Sequence, residues 1–402
     1  MKESGIDWIG QIPEEWKVTK LKYVLLISNG KDYKDIEVEE GGYPVIGSGG
    51  VFARARNYMY DGDVVLLGRK GTIDKPLFYS GKFWTVDTMF YSTALNGNNI
   101  KFMYYSSLLI PFSYYSTATA LPSMTQSDLN NHVLCLPSIS EQQKIADFLD
   151  KKTAQLNKVK NLLEEQIQKL KDYRASLIYE TVTKGLDKTV PLKDSGIDWI
   201  GQVPEGWGVK RLKDYVDFQT GTTPPQSIGV NQERKGVCWF KPGDFSDESI
   251  DLTSAENYIT SEIVNQQKLS VYPEKTILVV GIASIGKVGY SENSSYSNQQ
   301  ITALKVIGQI FPKYLAYFMF SSGQYIRETA LYTVVPIINN QYLSSLKIVL
   351  PNLEEQESIV EYLDRQIMQI NKMIVIKNEQ IKNINKQRQT LIYDYVTGKR
   401  RV

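Results

Sequence analysis

Hydrophobic side chains recur every seven residues along two segments of the chain. The first segment runs from Glu141 to about Val182 and contains no glycine or proline. The residues repeated at seven-residue spacing are Leu149, Leu156, Leu163, Leu170 and Leu177, with Ile145 and Val159 on the adjoining stripe. The second period consists of Leu363, Ile370, Lys377, Ile384 and Leu391, flanked by Ile367, Ile374 and Ile381. Five heptads are typical of a coiled coil, and Lys377 on the seam predicts a weak point or an exposed stretch.

The two predicted helices constrain each other's direction. A helix of about 42 residues is roughly 60 Å long, and only a short turn-rich link joins the first one to the segment that follows. The second helix can therefore pack along the first only by running antiparallel, which predicts a rod with a globular domain at each end. Ser140 and Asn352 are the predicted N-caps. The alternative is a pair of unrelated amphipathic surface helices.

The segment that precedes each long helix has a different pattern, with short apolar strands such as Val64 to Gly68, Ile277 to Gly281 and Leu346 to Leu350. Each half also has one aromatic-rich helix, "IKFMYYSSLLI" from Ile100 and "FPKYLAYFMF" from Phe311. Strands mixed with helices predict two α/β (α+β) domains of about 115 and about 140 residues.

The chain repeats itself internally. "SGIDWIGQ" occurs at Ser4 and again at Ser195, and "LPSISEQQKIADFLDKK" from Leu136 returns as "LPNLEEQESIVEYLDRQ" from Leu350 at an offset of 214. "VVLLGRKGTIDK" from Val64 corresponds to "TILVVGIASIGK" from Thr276, and most of the extra length of the second half precedes this point. These repeats predict a pseudo-two-fold frame in which two variable domains alternate with two repeated helices.

Polar and basic loops of the two variable domains are candidates for DNA contact. Between Val51 and Lys82 there are six basic and three acidic residues, and arginine and lysine on glycine loops reach phosphates and guanine edges. In the second domain, the amides of "SNQQ" from Ser297 suit adenine edges. The predicted DNA-binding residues are Ser48, Arg54, Arg56, Arg69, Lys70, Thr72, Lys75, Lys82, Ser284, Lys287, Asn298, Gln299 and Gln300. Solvated loop charges and strand-edge amides are the alternative.

The sequence lacks the residues that several kinds of catalytic site require. "GIASIGKV" from Gly281 resembles a phosphate-binding loop, but Val288 replaces the required Ser or Thr, and a turn-like stretch follows where a helix should begin. "TTPPQ" from Thr222 lacks the acidic or Asn residue of a methyltransferase motif. The single histidine, His132, precedes a predicted strand, and Cys135 and Cys238 form neither a disulfide framework nor a metal motif. We therefore expect a chain that binds and positions, without catalytic or metal-binding residues.

Amino-acid composition excludes few functional classes of protein. The formal net charge of +2 permits phosphate binding only where charge is locally concentrated. No apolar run approaches the length of a membrane span, and no signal peptide is present, so the expected location is the cytoplasm.

Together these motifs resemble the specificity (S) subunit of type I restriction-modification systems over essentially the whole chain. The carrying stretches are "SGIDWIGQIPEEW" and its repeat, "PVIGSGG", "GRKGTI", "TALPSMTQSDL" from Thr119, and "LPSISEQQKIADFLD" and its repeat. The second domain differs in sequence from the first at "GIASIGKV" and "VVPIINNQYL".

The resemblance implies a prokaryotic, non-catalytic subunit in which two target recognition domains each read half of a split double-stranded DNA site. It implies an N-terminal repeat segment (1–16), domain 1 (17–135), spacer helix 1 (136–185), a linker with the second repeat copy (186–207), domain 2 (208–349) and spacer helix 2 (350–402). The helices would set the spacer and dock two adenine-methyltransferase subunits, and through them the restriction subunits. S-adenosylmethionine, ATP and magnesium are expected on those partners, and no cofactor on this chain. The helix–helix and subunit interface would include Leu149, Leu156, Leu163, Leu170, Leu177, Leu363, Ile370, Ile384 and Leu391.

Two other functions stay open at this point: a coiled-coil scaffold that does not bind DNA, and a stand-alone DNA-binding regulator. The octapeptide adds a structural prediction. If its two copies play one role, the N-terminal copy docks beside the end of the second helix, the chain termini lie close together, and Trp8 and Trp199 are buried anchors.

Overall fold

A computed structural model describes residues 1–115, 122–223, 236–266, 269–332 and 336–402. Parts of three quoted stretches lie outside them: the first three residues of "TALPSMTQSDL", the last three of "TTPPQ" and the two valines of "VVPIINNQYL". The chain divides into two compact units, one of residues 1–163 and 378–402 and one of residues 164–377.

Domain 1 lies in the first unit and domain 2 in the second. The elements of the first half are β1 Lys2–Glu3, β2 Gln11–Ile12, β3 Lys17–Lys20, β4 Leu25–Asn29, β5 Glu37–Val38, β6 Tyr43–Gly47, β7 Gly50–Ala55, β8 Tyr60–Gly68, β9 Leu77–Thr85, β10 Met89–Ala94, α1 Ile100–Ser107, α2 Phe112–Tyr115, α3 Gln126–Asn131, β11 Val133–Leu136 and α4 Ile139–Lys184. The elements of the second half are β12 Leu192–Asp194, β13 Gln202–Pro204, β14 Gly208–Arg211, β15 Val216–Thr220, β16 Val237–Phe240, β17 Asn257–Ile259, α5 Ser261–Gln266, β18 Thr276–Val280, β19 Val288–Ser291, β20 Ser295–Ser297, β21 Ile301–Val306, α6 Pro312–Ser321, α7 Gly323–Thr329, β22 Leu331–Tyr332, β23 Pro336–Ile337, α8 Asn340–Ser345, β24 Lys347–Leu350 and α9 Leu353–Val396.

Helices α4 and α9 are the two predicted long helices. Asn352 caps α9, because its Oδ1 accepts the backbone N–H of Glu355 at 2.9 Å. The predicted cap of α4 was wrong: Ser138, not Ser140, accepts the N–H of Glu141 at 3.3 Å. Ser138 is the residue that the repeat aligns with Asn352, so the two helices begin at equivalent positions.

All predicted seam residues are buried or half-buried, and of the predicted adjoining stripe of α4 Ile145 is buried but Val159 is not. Val159 is 47% exposed, whereas Thr153, Arg174 and Thr181 on the next row are buried. These are the counterparts of Ile367, Arg388 and Tyr395 in α9. A hydrophobic pattern did not locate this row because most of its buried members in α4 are polar.

The helices run antiparallel within each unit. In the second unit, Arg174 Nη1 donates to Asn371 Oδ1 at 2.5 Å and Lys377 Nζ donates to Gln166 Oε1 at 2.5 Å. In the first, the Phe148 and Tyr395 rings lie 4.5 Å apart. Lys377 itself is half-buried and hydrogen-bonded, while Val375 and Ile376 beside it are 59% and 46% exposed, in agreement with the predicted exposed stretch.

Among the described residues of domain 1, seven strands form one sheet in the order β4-β10-β8-β9-β6-β7-β5. Neighbours are antiparallel except β6 and β9. The strand β8 contributes the fully buried run Val64 to Leu67, and α1 covers the sheet with Phe102 and Tyr105. The first and last strands of the domain, β3 and β11, pair with each other and close it.

Domain 2 has a four-stranded sheet, β15-β21-β18-β19, and a three-stranded sheet, β17-β16-β20, among its described residues. The extra length of domain 2, which precedes Thr276, includes Glu248. Its carboxylate contacts α4, where it binds Lys171 Nζ at 2.6 Å and Arg174 Nη2 at 3.1 Å. These cations, Lys171 first, hold the pKa of Glu248 below its usual value. Helix α6 buries Tyr314, which donates to the carbonyls of Val182 and Val349 at 3.1 and 3.0 Å. The predicted fold class is thus confirmed: two mixed α/β domains with two long antiparallel helices.

Each domain is attached to its long helix by the same contacts. Asp150 accepts hydrogen bonds from Lys101 and, at 2.7 Å, from the Tyr105 hydroxyl. Its counterpart Asp364 accepts from Lys313 at 2.8 Å and Tyr317 at 2.6 Å. Because each tyrosine is buried, each carboxylate gives its hydroxyl the hydrogen-bond acceptor that a buried polar group requires.

The octapeptide docks on the end of a long helix in both halves. Tyr393 donates to the Trp8 carbonyl at 3.0 Å, and Tyr179 donates to the Trp199 carbonyl at 3.1 Å. The segments at the two termini also meet, since Lys399 Nζ donates to the Gln11 carbonyl at 2.7 Å. Trp8, however, is 39% exposed and is not the predicted buried anchor.

The buried anchors lie eight residues further along, at Trp16 and Trp207, which are 0% and 3% exposed. Trp16 Nε1 donates to Glu141 at 3.0 Å, and Trp207 Nε1 donates to Glu355 at 3.2 Å. A buried indole needs an acceptor for its N–H, and the first turn of each long helix provides it. Trp8 and Trp199 instead pack on the tyrosines at the surface, with Trp199 half-buried.

Buried His132 gives a prediction for acid stability. Burial lowers its pKa to about 4, below the 6.5 of an exposed histidine. The unfolded chain therefore binds the proton first, and stability falls as the pH drops from about 6.5 to about 4, by on the order of 3 kcal/mol. Because the chain has one histidine, its imidazole C–H resonance can be titrated directly by NMR in the folded protein.

The measured midpoint should lie near 4, and a midpoint near 6.5 would contradict the prediction. A His132→Asn variant should lose the corresponding part of the pH dependence of stability, even if its stability at neutral pH is lower. The hydroxyl oxygen of Tyr115 lies 2.9 Å from Nδ1 of the His132 ring.

Candidate nucleic-acid interface

Several loops of domain 1 meet at one edge of its sheet. The backbone N–H of Arg69 donates to Thr88 O at 2.8 Å, and that of Gly71 donates to Pro122 O at 2.8 Å. Lys31 N–H donates to Thr85 O at 2.9 Å. These bonds join the loops around residues 31, 70, 87 and 123 into one surface, here called the domain 1 loop edge.

Four predicted DNA-binding residues, Arg69, Lys70, Thr72 and Lys75, lie in the β8–β9 loop of this edge. Arg69 lies over the Phe90 ring and its Nη1 donates to the Asp87 carbonyl at 3.2 Å, which orients the guanidinium. Lys70 and Lys75 are exposed, and Thr72 is half-buried. Sequence reasoning missed Lys31, an exposed cation that the fold brings to the same edge.

The other predicted residues of domain 1 lie on the neighbouring strands. Ser48 is in the β6–β7 turn, whereas Arg54 and Arg56 lie towards the opposite end of that hairpin. Arg54 donates to the Gly41 and Gly42 carbonyls at 3.2 and 3.1 Å, and Arg56 donates to the Asp35 carbonyl at 3.1 Å. Lys82 Nζ lies 4.7 Å from the Tyr58 ring centroid. The fold therefore separates these three cations from the loop edge.

Domain 2 forms the corresponding edge with the same backbone bonds. Gly281 N–H donates to Gln300 O at 2.7 Å, and Ile338 N–H donates to Gly281 O at 2.9 Å. The loops enclose an open cleft of about 460 Å³, here called the amide cleft. It is lined by Thr220, Gly281, Ile282, Gln299, Gln300, Thr302, Ile337, Ile338, Asn339, Asn340 and Gln341.

The structure brings only Gln299 and Gln300 of the five predicted domain 2 residues to the amide cleft. Asn298 is 8% exposed and bonds Gln300, so it supports the loop from behind. Ser284 is in the turn between β18 and β19. That turn agrees with the rejection of a phosphate-binding loop, because "GIASIGK" joins two antiparallel strands and not a strand to a helix.

The prediction that Lys287 shares this surface was wrong. Its Nζ lies 3.0 Å from Asp247 and 3.4 Å from the Phe245 carbonyl, and it lines a separate cavity with Ala175 and Tyr179 of α4. Its counterpart in domain 1 is Lys75, at the end of a connection of similar length between the antiparallel strands β8 and β9, and Lys75 is exposed.

Sequence reasoning also missed Thr220, Asn339, Asn340 and Gln341. The signal was available: the repeat offset of 214 aligns Asn339 and Asn340 with Thr125 and Gln126. Both Thr125 and Asn339 cap the short helix that follows, with cap distances of 3.1 and 2.8 Å. The capping role places the next side chain, Gln126 in domain 1 or Asn340 in domain 2, beside the loops of that edge.

The described residues hold no group of histidine, cysteine and carboxylate side chains that could bind a metal ion. Cys135 is buried, and burial raises the pKa of its thiol to about 11, so it is not a reactive nucleophile. None of the helices in the described ranges is long and apolar enough to cross a membrane.

Comparison with known proteins agrees with this geometry. Residues 13–169 and 204–384 match the family described as "Type I restriction modification DNA specificity domain". The MjaX specificity subunit of Methanocaldococcus jannaschii, a putative type I restriction enzyme subunit, is 26% identical over 98% of this chain and 96% of its own. The type I restriction enzyme EcoBI specificity subunit of Escherichia coli is 22% identical over 97% and 87%.

Two solved structures share the fold. A chain from a structure of type I R-M complex assembly and conformational transition has a TM-score of 0.74 at 18% identity, covering 96% of this chain and 98% of its own. The HsdS subunit from Thermoanaerobacter tengcongensis has a TM-score of 0.53 at 18% identity, covering 99% and 100%. With a family match in both halves and relatives that align over nearly the full length, the chain belongs to the family of type I restriction-modification specificity subunits.

Proposed function

We propose that this chain reads a bipartite double-stranded DNA site, with one recognition domain on each half, and that it has no catalytic activity of its own. The observation that carries the proposal is the repeated loop edge. Equivalent backbone bonds build it in both domains, while the side chains differ: Arg69 and Lys70 in domain 1 correspond to Gly281 and Ile282 in domain 2. One frame with two sets of reading side chains suits two different half-sites.

The long helices would hold the two domains at a set separation, and so define an unread spacer between the half-sites. The contacts of Asp150 and Asp364 support this role, because they attach each domain to its helix in the same way.

Two methyltransferase subunits would dock on the helices, and restriction subunits would join through them. Exposed apolar pairs at equivalent positions support two docking faces: Val159 and Leu162 are each 47% exposed, and Met373 and Ile376 are 42% and 46% exposed. Exposed apolar groups of this kind mark protein interaction surfaces. S-adenosylmethionine, ATP and magnesium would be bound by those partners, which carry out adenine methylation and DNA cleavage.

The direct test compares DNA binding by the chain alone and by the chain assembled with methyltransferase subunits. The assembled complex should select one bipartite site, with an affinity that falls as salt rises. Tight, specific binding by the isolated chain would favour a regulator, and salt-independent or absent DNA binding by the complex would favour a scaffold.

A Lys70→Ala variant should weaken DNA binding by the assembled complex and leave assembly intact. Lys70 is exposed at the loop edge, so it is placed to neutralise a phosphate. Removing one phosphate contact should reduce the slope of log affinity against log salt by about 1, with little change in base preference.

The matched control is Lys22→Ala, an exposed lysine beside the start of β4, whereas the loop edge begins where β4 ends. It should bind DNA like the unmodified chain. An unchanged salt slope in Lys70→Ala would remove this residue from the interface.

A further inference from the structure

We infer that domain 2 reads A·T base pairs through the amide cleft, and that Gln299 and Gln341 are its specificity-determining residues. The inference rests on the proposed function, because it names the bases that one domain contacts. Three observations carry it: the absence of charge, the two layers of polar side chains, and the isoleucines at the cleft.

None of the described residues that line the amide cleft is charged. In the major groove guanine presents two acceptors, which arginine or lysine matches, whereas adenine presents one acceptor and one donor, which an amide matches. The positions of the domain 1 cations Arg69 and Lys70 are occupied here by Gly281 and Ile282, according to the equivalent backbone bonds. The cleft is therefore suited to adenine and poorly suited to guanine.

The inner polar side chains are held by bonds to one another. Asn298 Nδ2 donates to Gln300 Oε1 at 2.8 Å. Asn340 accepts from Thr302 at 3.1 Å and donates to Thr220 at 3.4 Å, while Asn339 caps α8. Side chains committed in this way support the cleft and do not read bases.

Gln299 and Gln341 form the outer layer, and both are exposed. Thr223 donates to Gln299 Oε1, which orients that amide with its NH₂ group away from the threonine. A preoriented amide loses less side-chain entropy when it bonds a base, and so discriminates better.

The isoleucines give the cleft an apolar part. Ile282 and Ile337 form a backbone bridge at its wall, and Ile337 is 44% exposed. Thymine is the base that presents a methyl group in the major groove, and apolar side chains contact it. Amides for adenine and isoleucine for thymine are the two halves of A·T recognition.

The test is selection from a DNA library randomised over both half-sites, with the chain assembled with its methyltransferase subunits. The double variant Gln299→Ala, Gln341→Ala should lose about fivefold or more of the preference for A·T at one or two positions in one half-site. Preferences in the other half-site should stay unchanged. The matched control is Gln309→Ala, an exposed amide beyond the opposite end of β21, which should select like the unmodified chain.

A second measurement isolates the adenine contact. At the affected positions, 7-deazaadenine, which lacks the N7 acceptor, should weaken binding by the unmodified complex about fivefold, and should have little effect on the double variant. Uracil in place of thymine should weaken binding only where Ile337 is present, with Ile337→Ala as the comparison.

The outcomes separate the inference from the proposed function. If the unmodified complex selects a bipartite site but the double variant keeps every preference, or the affected positions prefer G·C, the inference is overturned and the proposed function stands. If the unmodified complex shows no sequence preference in either half-site, both are overturned.

Discussion

Replacing Trp16 with alanine is expected to lower the free energy of unfolding by about 3–5 kcal/mol. The indole is fully buried, lies against Gly398 near the end of the chain, and donates its N–H to Glu141 at the start of α4. It therefore joins the N-terminal segment, the first long helix and the C-terminal residues within one core. Trp207→Ala should cost a similar amount, because Trp207 makes the equivalent contacts with Glu355 and Gly185.

Urea denaturation followed by far-ultraviolet circular dichroism would measure both changes. The control is Trp8→Ala, in the octapeptide itself, whose side chain is 39% exposed on the Tyr393 ring. We expect it to cost about 1 kcal/mol or less. If Trp8→Ala destabilised the chain as much as Trp16→Ala, the octapeptide and not the tryptophan eight residues later would be the anchor.

Gly221→Ala is expected to disrupt the loops of domain 2, with a cost of about 3 kcal/mol and loss of selection in the corresponding half-site. An added Cβ would lie 2.3 Å from the backbone oxygens of Ser297 and Asn298, so the chain that leads to Gln299 and Gln300 would have to move. Gly30→Ala should act in the same way on domain 1, because its Cβ would lie 2.0 Å from the Val86 carbonyl oxygen.

The matched controls are Gly243→Ala in domain 2 and Gly49→Ala in domain 1. Neither Cβ would meet an atom within 4 Å, so both variants should keep their stability. Thermal unfolding and half-site selection are the measurements. Normal selection by Gly221→Ala would show that the amide cleft tolerates a displaced loop, which would contradict its proposed role.

The local hydrophobic pattern and the internal repeats of the sequence predicted much of the fold. Leu149 and its heptad partners predicted the first long helix, and the offset of 214 predicted the second. The length of the helices and the short link between them required an antiparallel course. These features follow from sequence because helix periodicity and chain connectivity are local properties.

The tertiary structure decided what depends on neighbours distant in sequence. Thr153 and Arg174 are buried because they bond distant partners, Thr153 the Tyr105 hydroxyl of α1 and Arg174 the Asn371 side chain of α9. Trp16 is buried and Trp8 is not because the first turn of α4 offers the buried indole an acceptor in Glu141. Neither result can be read from the residues alone, since burial depends on what packs against a side chain.

The candidate interface divides in the same way. The sequence by itself determined that cations cluster near "GRKGTI" and amides near "SNQQ", because residue type and spacing are visible in the chain. Only the fold decided that Arg54, Arg56 and Lys287 bond neighbouring carbonyl or carboxylate groups away from the loop edges, and that Gln341 joins Gln299 across the amide cleft. Backbone and side-chain hydrogen bonds between loops up to 120 residues apart make that juxtaposition. Loop closure over such separations follows from tertiary packing and not from local pattern.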